Sequence, residues 1–368
     1  MLRRSVLAAG VATAFAGARP APAAAGAPAR PDQLRDALDR IVATGASAAL
    51  AEVRGPAGTW RAASGTAALG GGRPAAAHGR FRIASITKTF VATVVLQLAA
   101  EERLRLDEPI GRWLPGGGSI TARHLLRHTS GVYDVAEKLR QLFPTNEDLI
   151  RERLRAFTAR ELVAMAAAEP PLFAPGTGWS YSNTNYLLLG LVIERVTGRP
   201  YAAEVSRRVL RPLRLAQTEL PGTDPRLRGP HAHGYLPVLR DGAVAQVDVT
   251  EWNPSWAGAS GEIISTTEEV NRFYRALLGG RLLPPAQLEQ MLAHPAGPDE
   301  YGLGIRRVTL PSGTTLWGHT GGFPGYETWA YSTEDGGRQL TLSVNPLRTP
   351  DRGNPFDAMV AFVQTAFQ

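Results

Sequence analysis

The chain of 368 residues has no cysteine, only two lysines and, beyond its first residues, no long hydrophobic run. The absence of cysteine excludes disulfide bonds, thiol nucleophiles and thiolate metal ligands. A helix that crosses a bilayer needs about 20 consecutive apolar residues, so we expect no permanent membrane anchor. The two lysines are Lys88 and Lys138, and all the other basic residues are arginine.

The charge of the chain does not indicate a nucleic-acid partner. The formal net charge is +7, but the arginines are dispersed and form no basic run that alternates with aromatic residues. A nucleic-acid-binding surface would concentrate them in one patch. With 44% hydrophobic and 20% charged residues, the composition is that of a globular protein rather than of a disordered or fibrous chain.

The N-terminal residues have the pattern of an export signal. Arg3 and Arg4 precede an apolar run, residues 6–16, that has the length of a signal-peptide core. We predict a signal peptide over residues 1–25, a linker over residues 26–31 and release into the cell-wall space or the medium. The paired arginines fit both the general secretory route and the twin-arginine route, and the sequence leaves that choice open.

Residues 32–368 are predicted to form one α+β domain, with an antiparallel sheet flanked by helices. An all-helical subdomain, roughly residues 86–255, is expected within it, and residues 89–100 are apolar on nearly every side, as in a buried central helix. Short turns between the last strand patterns predict an antiparallel meander. The strand patterns are Ala46–Val53, Gly58–Ala63, Leu303–Leu310, Thr314–His319, Glu327–Ser332 and Gln339–Val344, and a closing helix is expected over Phe356–Phe367.

Ser85 and Lys88 stand three residues apart at a predicted strand-to-helix junction. Residues i and i+3 of a helix share a face, so the hydroxyl and the amine are expected side by side. Serine becomes a nucleophile when a base lies next to it, and lysine can be that base whereas arginine cannot lose its proton. The same spacing also occurs on solvated helix faces. A lysine retained here, in a chain that otherwise uses arginine, favours the catalytic interpretation.

Two further motifs carry side chains suited to the same chemistry. Tyr181 and Asn183 lie two apart in a polar turn, where a phenol can move a proton and an amide can orient a lysine or a substrate. Asn183 could instead cap the helix that follows. His319 ends a strand pattern and is followed by Thr320 and by Gly321 and Gly322. The two glycines lack side chains and would let a substrate backbone lie alongside the strand. A lone histidine is also compatible with a structural role.

In their order and separation, these motifs resemble the serine penicillin-recognising (β-lactamase-like) family. The resemblance covers essentially all of the chain after the signal peptide and is closest to secreted D-alanyl-D-alanine carboxypeptidases and class C β-lactamases. It also includes the stretches HLLRHTSG at 124–131, YSNTNY at 181–186, WAGASGEIIST at 256–266 and YGLGIRR at 301–307. It implies a β-lactamase/transpeptidase-like fold with the active site between the sheet and the helical subdomain.

The resemblance also implies roles for the motif residues. Ser85 would be the acylated nucleophile, activated either by neutral Lys88 or by Tyr181 held as a phenolate, and the sequence does not decide between these. Tyr181 would protonate the leaving amine, and Asn183 would orient the substrate amide. His319, where many relatives have lysine, would supply a donor and a partial positive charge near Lys88 and Tyr181.

The remaining predicted site residues concern substrate binding. The N–H groups of Ser85 and Gly322 would form the oxyanion hole, Thr320 would add a hydroxyl, and Gly321 would keep the strand open to substrate. Arg306 resembles the family's carboxylate-binding arginine, although it could equally be a solvated strand residue. Trp256 would line the pocket or pack in the core.

The sequence thus predicts a serine D-alanyl-D-alanine carboxypeptidase that acts on peptidoglycan stem peptides and is acylated by β-lactams. One departure favours esterase or aminopeptidase relatives: some carboxypeptidases have a hydroxyl residue where this chain has Gly322. A class C-like β-lactamase, an esterase and a non-catalytic peptidoglycan-binding module are the alternatives. We expect a monomer with no cofactor and no metal, since His124 and His128 lack an acidic partner in an HExxH pattern.

Overall fold

The computed structural model describes residues 30–347 and 354–368. The predicted signal peptide and residues 26–29 of the predicted linker lie outside these residues, and the last linker residue, Pro31, already begins the first helix. Within them, no helix is both long enough and apolar enough to span a membrane.

The described chain alternates strands and helices at its two ends and is mainly helical between them. The helices are α1 (Pro31–Ala43), α2 (Thr87–Ala100), α3 (Ala122–Arg127), α4 (Val135–Leu142), α5 (Asn146–Glu152), α6 (Ala159–Ala167), α7 (Asn183–Thr197), α8 (Tyr201–Val205), α9 (Thr267–Leu278), α10 (Pro285–Leu292) and α11 (Phe356–Ala366). The strands are β1 (Ala46–Gly55), β2 (Gly58–Gly65), β3 (Phe81–Arg82), β4 (Tyr235–Arg240), β5 (Ala243–Asp248), β6 (Ile264–Ser265), β7 (Arg306–Thr309), β8 (Thr315–Phe323), β9 (Tyr326–Thr333) and β10 (Gln339–Pro346).

Six strands form one antiparallel sheet in the order β2-β1-β10-β9-β8-β7. The predicted meander is confirmed, because β7 to β10 are neighbours in sequence order. Helices α1 and α11 cover one face, where Leu38 and Phe362 pack against Leu342 and Trp329. Helix α9 packs on β1, β9 and β10 and places Phe273 in the core of the opposite face, against Phe90 of α2.

Helix α2 is the buried central helix that its sequence predicts. Eleven of its fourteen residues are buried, because apolar and small side chains occur on every side of it. Phe90 stacks on Phe273 of α9, and Val91 and Val95 lie in the same core. Its first turn therefore sits at a fixed position between the sheet and the helices.

The middle of the chain is not all-helical, contrary to the expectation for residues 86–255. Strands β4 and β5 form a hairpin there, with Arg240 paired to Ala243. The two residues of the turn, Asp241 and Gly242, both have positive φ, 50° and 79°. Asp-Gly is a strong signal for this tight turn, since glycine and aspartate tolerate that backbone conformation.

Candidate active site

Ser85, the predicted nucleophile, lies on a tight turn between β3 and α2. β3 pairs with β6, a 3₁₀ turn spans Ala84–Ile86, and α2 begins directly after it. Ala84 has a φ of 49°, in the left-handed region that costs energy for any residue with a Cβ. The turn leaves Ser85 partly exposed to a cavity, whereas Lys88, in the first turn of α2, is fully buried.

The Lys88 amine is held by three oxygen atoms. Its Nζ lies 3.0 Å from Ser85 Oγ, 2.8 Å from Asn183 Oδ1 and 2.8 Å from the carbonyl oxygen of Ser260. The amide and carbonyl oxygens can only accept, but the serine hydroxyl can also donate. A neutral amine has two N–H groups and one lone pair. It can therefore donate to Asn183 and Ser260 while accepting the Ser85 proton.

The surroundings of Lys88 favour this neutral form. Complete burial lowers the pKa of Lys88 well below its ordinary value, because the ammonium loses its hydration. The nearby Arg306 charge lowers that pKa further, and Asp134 opposes both effects. Lys88 is thus poised to act as a base close to Ser85.

Tyr181 lies on the other side of the nucleophile. Its hydroxyl hydrogen-bonds the Ser85 side chain, and burial raises the pKa of Tyr181 above its ordinary value despite Arg306, which lowers it. The Lys88 Nζ lies 4.9 Å from the centre of its ring. Of the two proton acceptors that the sequence leaves open, the geometry and the pKa directions favour Lys88, with Tyr181 as a neutral phenol.

Asn183 orients the lysine rather than capping a helix. It is the first residue of α7, and its Oδ1 accepts from Lys88 while its Nδ2 lies 3.1 Å from Asp134 Oδ2. The preceding Ser182 occupies the N-cap position without a capping hydrogen bond from its side chain. One end of the Asn183 amide is therefore used by the base, so the expected contact with substrate is left to its Nδ2 group.

His319 is placed next to this cluster, but its ring nitrogens face elsewhere. Nδ1 contacts the carbonyl oxygen of Thr320 and must donate to it, so Nε2 accepts from the Tyr301 hydroxyl at 2.9 Å. Burial, helped by Arg306 and Lys88, lowers the pKa of His319 well below its ordinary value. Both nitrogens are engaged and the lowered pKa of His319 favours a neutral ring, whereas the sequence predicts a donor and a partial positive charge near Lys88 and Tyr181.

The glycines after His319 have different roles. A Cβ on Gly321 would lie 2.2 Å from the carbonyl oxygen of Ile83, so only glycine lets β8 pack on the turn that carries Ser85. Thr320 and Gly322, on either side of it, line the cavity. Gly321 thus brings the strand close to Ser85, whereas the sequence predicts a contact between Gly321 and the substrate.

Arg306 lines the cavity but is not solvated. β7 begins at this residue, later than expected, because Gly304 has a φ of 81° that is incompatible with a strand. The Arg306 Nη2 lies 2.9 Å from Asp299 Oδ2, with side-chain exposures of 6% and 2%. Its guanidinium lies 5.6 Å from the centre of the Tyr181 ring. Its positive charge is therefore balanced by a buried carboxylate.

The rest of the cavity is mainly apolar. Trp256 both packs in the core and lines the cavity. Its ring packs on Phe157, and its Nε1 donates to the Arg155 carbonyl oxygen at 2.7 Å. Glu327 adds a carboxylate to the lining. The apolar lining residues are Val135, Ala136, Leu139, Trp252, Trp256, Phe323 and Pro324.

Three further residues belong to this site and are not among those that the sequence motifs indicate. Asp134 contacts Asn183, the Ser260 carbonyl oxygen accepts from Lys88, and Tyr301 donates to His319. Asp134 could have been noticed as a helix-capping residue before α4. The other two contacts join residues far apart in sequence, so no local pattern indicates them.

Comparison with known proteins places the chain among serine hydrolases of one family. Residues 34–362 match the Beta-lactamase family model. A solved D-stereospecific amidohydrolase from Streptomyces sp. is 39% identical, with a TM-score of 0.80 over 89% of this chain and 97% of that one. Esterase EstB of Burkholderia gladioli is 39% identical over 50% of each chain. Penicillin-binding protein 4* of Bacillus subtilis (strain 168) is 26% identical over 70% of this chain and 58% of its own.

The aligned region spans about half the length of these two curated relatives. The family model, in contrast, matches most of the chain, and the predicted β-lactamase/transpeptidase-like fold is confirmed by the solved relative. The chain therefore belongs to the Beta-lactamase family and is a serine hydrolase of that fold.

Proposed function

We propose that the protein is a serine amidohydrolase that hydrolyses amides of D-amino acids through an acyl-enzyme on Ser85. The observation that carries this proposal is the buried pair of Arg306 and Asp299. A carboxypeptidase needs a cation for the carboxylate that ends its substrate, but the Arg306 charge is already balanced. A substrate that ends in an amide needs no cation at that end. The 39% identical solved relative is named a D-stereospecific amidohydrolase, which supports the same substrate class.

The reaction follows from the contacts around Ser85. Neutral Lys88 takes the hydroxyl proton while Ser85 Oγ bonds to the substrate carbonyl carbon, and the N–H groups of Ser85 and Gly322 receive the oxyanion. The phenol of Tyr181 gives its proton to the leaving nitrogen as the C–N bond breaks, and the Lys88 ammonium returns a proton to Tyr181. Water then attacks the acyl carbon and gives a proton to neutral Lys88, the bond between that carbon and Ser85 Oγ breaks, and the Lys88 ammonium returns the proton to Ser85 Oγ as the acid product leaves.

The apolar lining around Trp252, Trp256 and Leu139 suits a large hydrophobic side chain on the acyl group. The test compares kcat/KM for D-phenylalanine amide, L-phenylalanine amide and a D-Ala-D-Ala peptide with a free or amidated end. We expect the D-amide to exceed the L-amide and the amidated peptide to exceed the free acid. Ser85→Ala should abolish all turnover. Preference for the free acid by the wild-type protein would contradict the proposal.

The D-alanyl-D-alanine carboxypeptidase predicted from the sequence is the second candidate. It is favoured by Arg306 and Thr320, which both line the cavity, and by the penicillin-binding relative. This function requires the free-acid peptide to be turned over and penicillin to form an adduct on Ser85, visible by intact-protein mass spectrometry. An esterase is tested in the same series with a short p-nitrophenyl ester.

Export to the cell-wall space is part of the proposal and rests on residues 1–25 alone. Expression of the full chain in a bacterial host should yield a shortened protein outside the cytoplasm. Replacing Arg3 and Arg4 by lysine should block export only if the twin-arginine route is used. Full-length protein retained in the cytoplasm by both versions would contradict export.

A further inference from the structure

Asp134 joins the start of α4 to the start of α7. Its Oδ1 accepts the backbone N–H of Ala136 at 3.1 Å, which caps α4, and the backbone N–H of Asn183 at 2.9 Å. The Asn183 Nδ2 lies 3.3 Å from Oδ1 and 3.1 Å from Oδ2 of the same carboxylate. Asp134 thus fixes both the backbone and the side chain of Asn183.

These contacts determine which way the Asn183 amide faces. An ionised carboxylate only accepts hydrogen bonds, so it holds the NH₂ end of the amide. The oxygen end is then directed at the Lys88 Nζ, 2.8 Å away. If the amide were reversed, the NH₂ group of Asn183 would face the Lys88 amine, and N–H donors would oppose each other there. The hydrogen-bond pattern that lets Lys88 accept the Ser85 proton therefore depends on Asp134.

The charge of Asp134 also acts on Lys88 directly. The carboxylate raises the pKa of Lys88, whereas burial and Arg306 lower it. The pKa of Asp134 is itself raised by burial, against the backbone N–H groups of Ala136 and Asn183, Lys88 and Arg140, which lower it. The other titratable or charged groups around Lys88 are Tyr181 and Tyr186 at α7, Arg306 at β7, His128 at the end of α3 and His319 on β8.

We propose that Asp134 is a positioning residue for the reaction: it holds the Asn183 amide with its oxygen toward Lys88, and its charge sets the pH range in which Lys88 serves as the base. This inference rests on the proposed roles of Ser85 and Lys88. Asp134 acts through Asn183 and through its field, without touching the reacting atoms.

The test measures the activation of Ser85 without assuming a substrate. The rate of Ser85 modification by a fluorophosphonate probe is followed from pH 5 to 10, with the modified residue identified by mass spectrometry. The variants are Asp134→Asn, which keeps the shape, and Asp134→Ser, which keeps a helix-capping side chain but does not reach Asn183. The matched control is Glu137→Gln, an exposed carboxylate three residues further along, at the first turn of α4.

In both Asp134 variants, loss of the negative charge should move the acidic limb of the pH profile to lower pH by about one unit, as expected for removal of a nearby opposite charge. The maximal rate should fall further in Asp134→Ser, by about tenfold or more, because the amide is no longer held. Glu137→Gln should leave both quantities unchanged. The Ser variant gives the same pH test if the Asn variant does not fold.

An acidic limb that stays in place in the Asp134 variants, or moves equally in Glu137→Gln, would overturn the inference. A wild-type protein whose Ser85 does not react with the probe at any pH would instead refute the proposed function. The two failures are therefore separate results.

Discussion

Two basic side chains are buried at the active site, one on the helical wall and one on the strand wall, and their surroundings differ. Lys88, on the helical wall, is bound by a hydroxyl, an amide oxygen and a carbonyl oxygen, none of which carries a charge. Arg306, on the strand wall, contacts the Asp299 carboxylate at 2.9 Å. Neutral acceptors stabilise an amine that must lose its proton, whereas a carboxylate stabilises a charge that must be kept. The difference distinguishes a base that can lose its proton from a structural cation that keeps it, within one active site.

The largest expected effect comes from Lys88→Arg. Because arginine keeps its proton, loss of the general base should lower kcat by about 10²–10⁴. The matched control is Lys138→Arg, the other lysine, which forms a partly exposed ion pair with Glu169 and should stay within about twofold of wild type. Steady-state kinetics on the best amide substrate measures both. Near-normal activity of Lys88→Arg would contradict the assignment of Lys88 as the general base.

Replacement of Arg306, on the strand wall, should lower the stability of the protein. Arg306→Gln leaves the Asp299 carboxylate buried without its cation, which should cost about 3–5 kcal/mol of unfolding free energy. Its neighbour provides the control: Arg307 pairs with Glu300 at the surface, and Arg307→Gln should cost less than about 1 kcal/mol. Urea titration followed by circular dichroism gives both values. Equal losses of unfolding free energy in the two variants would contradict a structural role for the ion pair of Arg306 and Asp299.

Glu262 is a buried acid, in contrast to the buried basic residues Lys88 and Arg306. It is 3% exposed, accepts from the backbone N–H of Gly222, and burial raises its pKa to about 7. An unfolded glutamate titrates near pH ~4.3, so between about pH 4.5 and 7 the folded state keeps a proton that the unfolded state releases. Stability should therefore fall as pH rises through this window, by at most about 4 kcal/mol.

Glu262→Gln should remove that loss, and its unfolding free energy should gain on wild type as the pH rises toward 7. The exposed Glu251→Gln serves as the control and should follow wild type. Urea titrations at pH 4.5, 6 and 7.5 measure the difference. Parallel pH profiles for wild type and Glu262→Gln would mean that the Glu262 carboxyl ionises as easily folded as unfolded.

The smallest expected effect tests how closely the two walls meet. Gly321→Ala would place a Cβ 2.2 Å from the Ile83 carbonyl oxygen and should cost about 1–3 kcal/mol of stability while displacing β8 from Ser85. Gly72→Ala, with no atom within 4 Å of its Cβ, is the control. Thermal unfolding and the fluorophosphonate rate report the two consequences. A fully active and stable Gly321→Ala protein would contradict the packing argument.

The sequence predicted the elements whose signal is local. The closing helix expected over Phe356–Phe367 is observed as α11, Phe356–Ala366, and the meander follows from turns that join neighbouring strands. The Asp241-Gly242 hairpin was also signalled locally but was overlooked within a region expected to be helical. Ser85 and Lys88 could be predicted because their spacing and the scarcity of lysine are properties of the sequence itself.

What the sequence could not predict is where each charge is balanced. Arg306 pairs with Asp299 across a glycine-containing bend, and both His319 nitrogens are satisfied by Thr320 and Tyr301. Such pairings depend on backbone directions after folding rather than on spacing. The pair of Arg306 and Asp299 is the one that supports the proposed amide substrate over a peptide that ends in a carboxylate.

The burial of Lys88 also has a practical consequence. Lys138 then offers the one lysine amine that an acylating reagent can reach in the folded protein. It stands on α4 beside Leu139, which lines the cavity. A single succinimidyl ester dye could thus be attached beside the pocket without engineering a cysteine. With the terminal amine blocked, its fluorescence would report occupancy of the site.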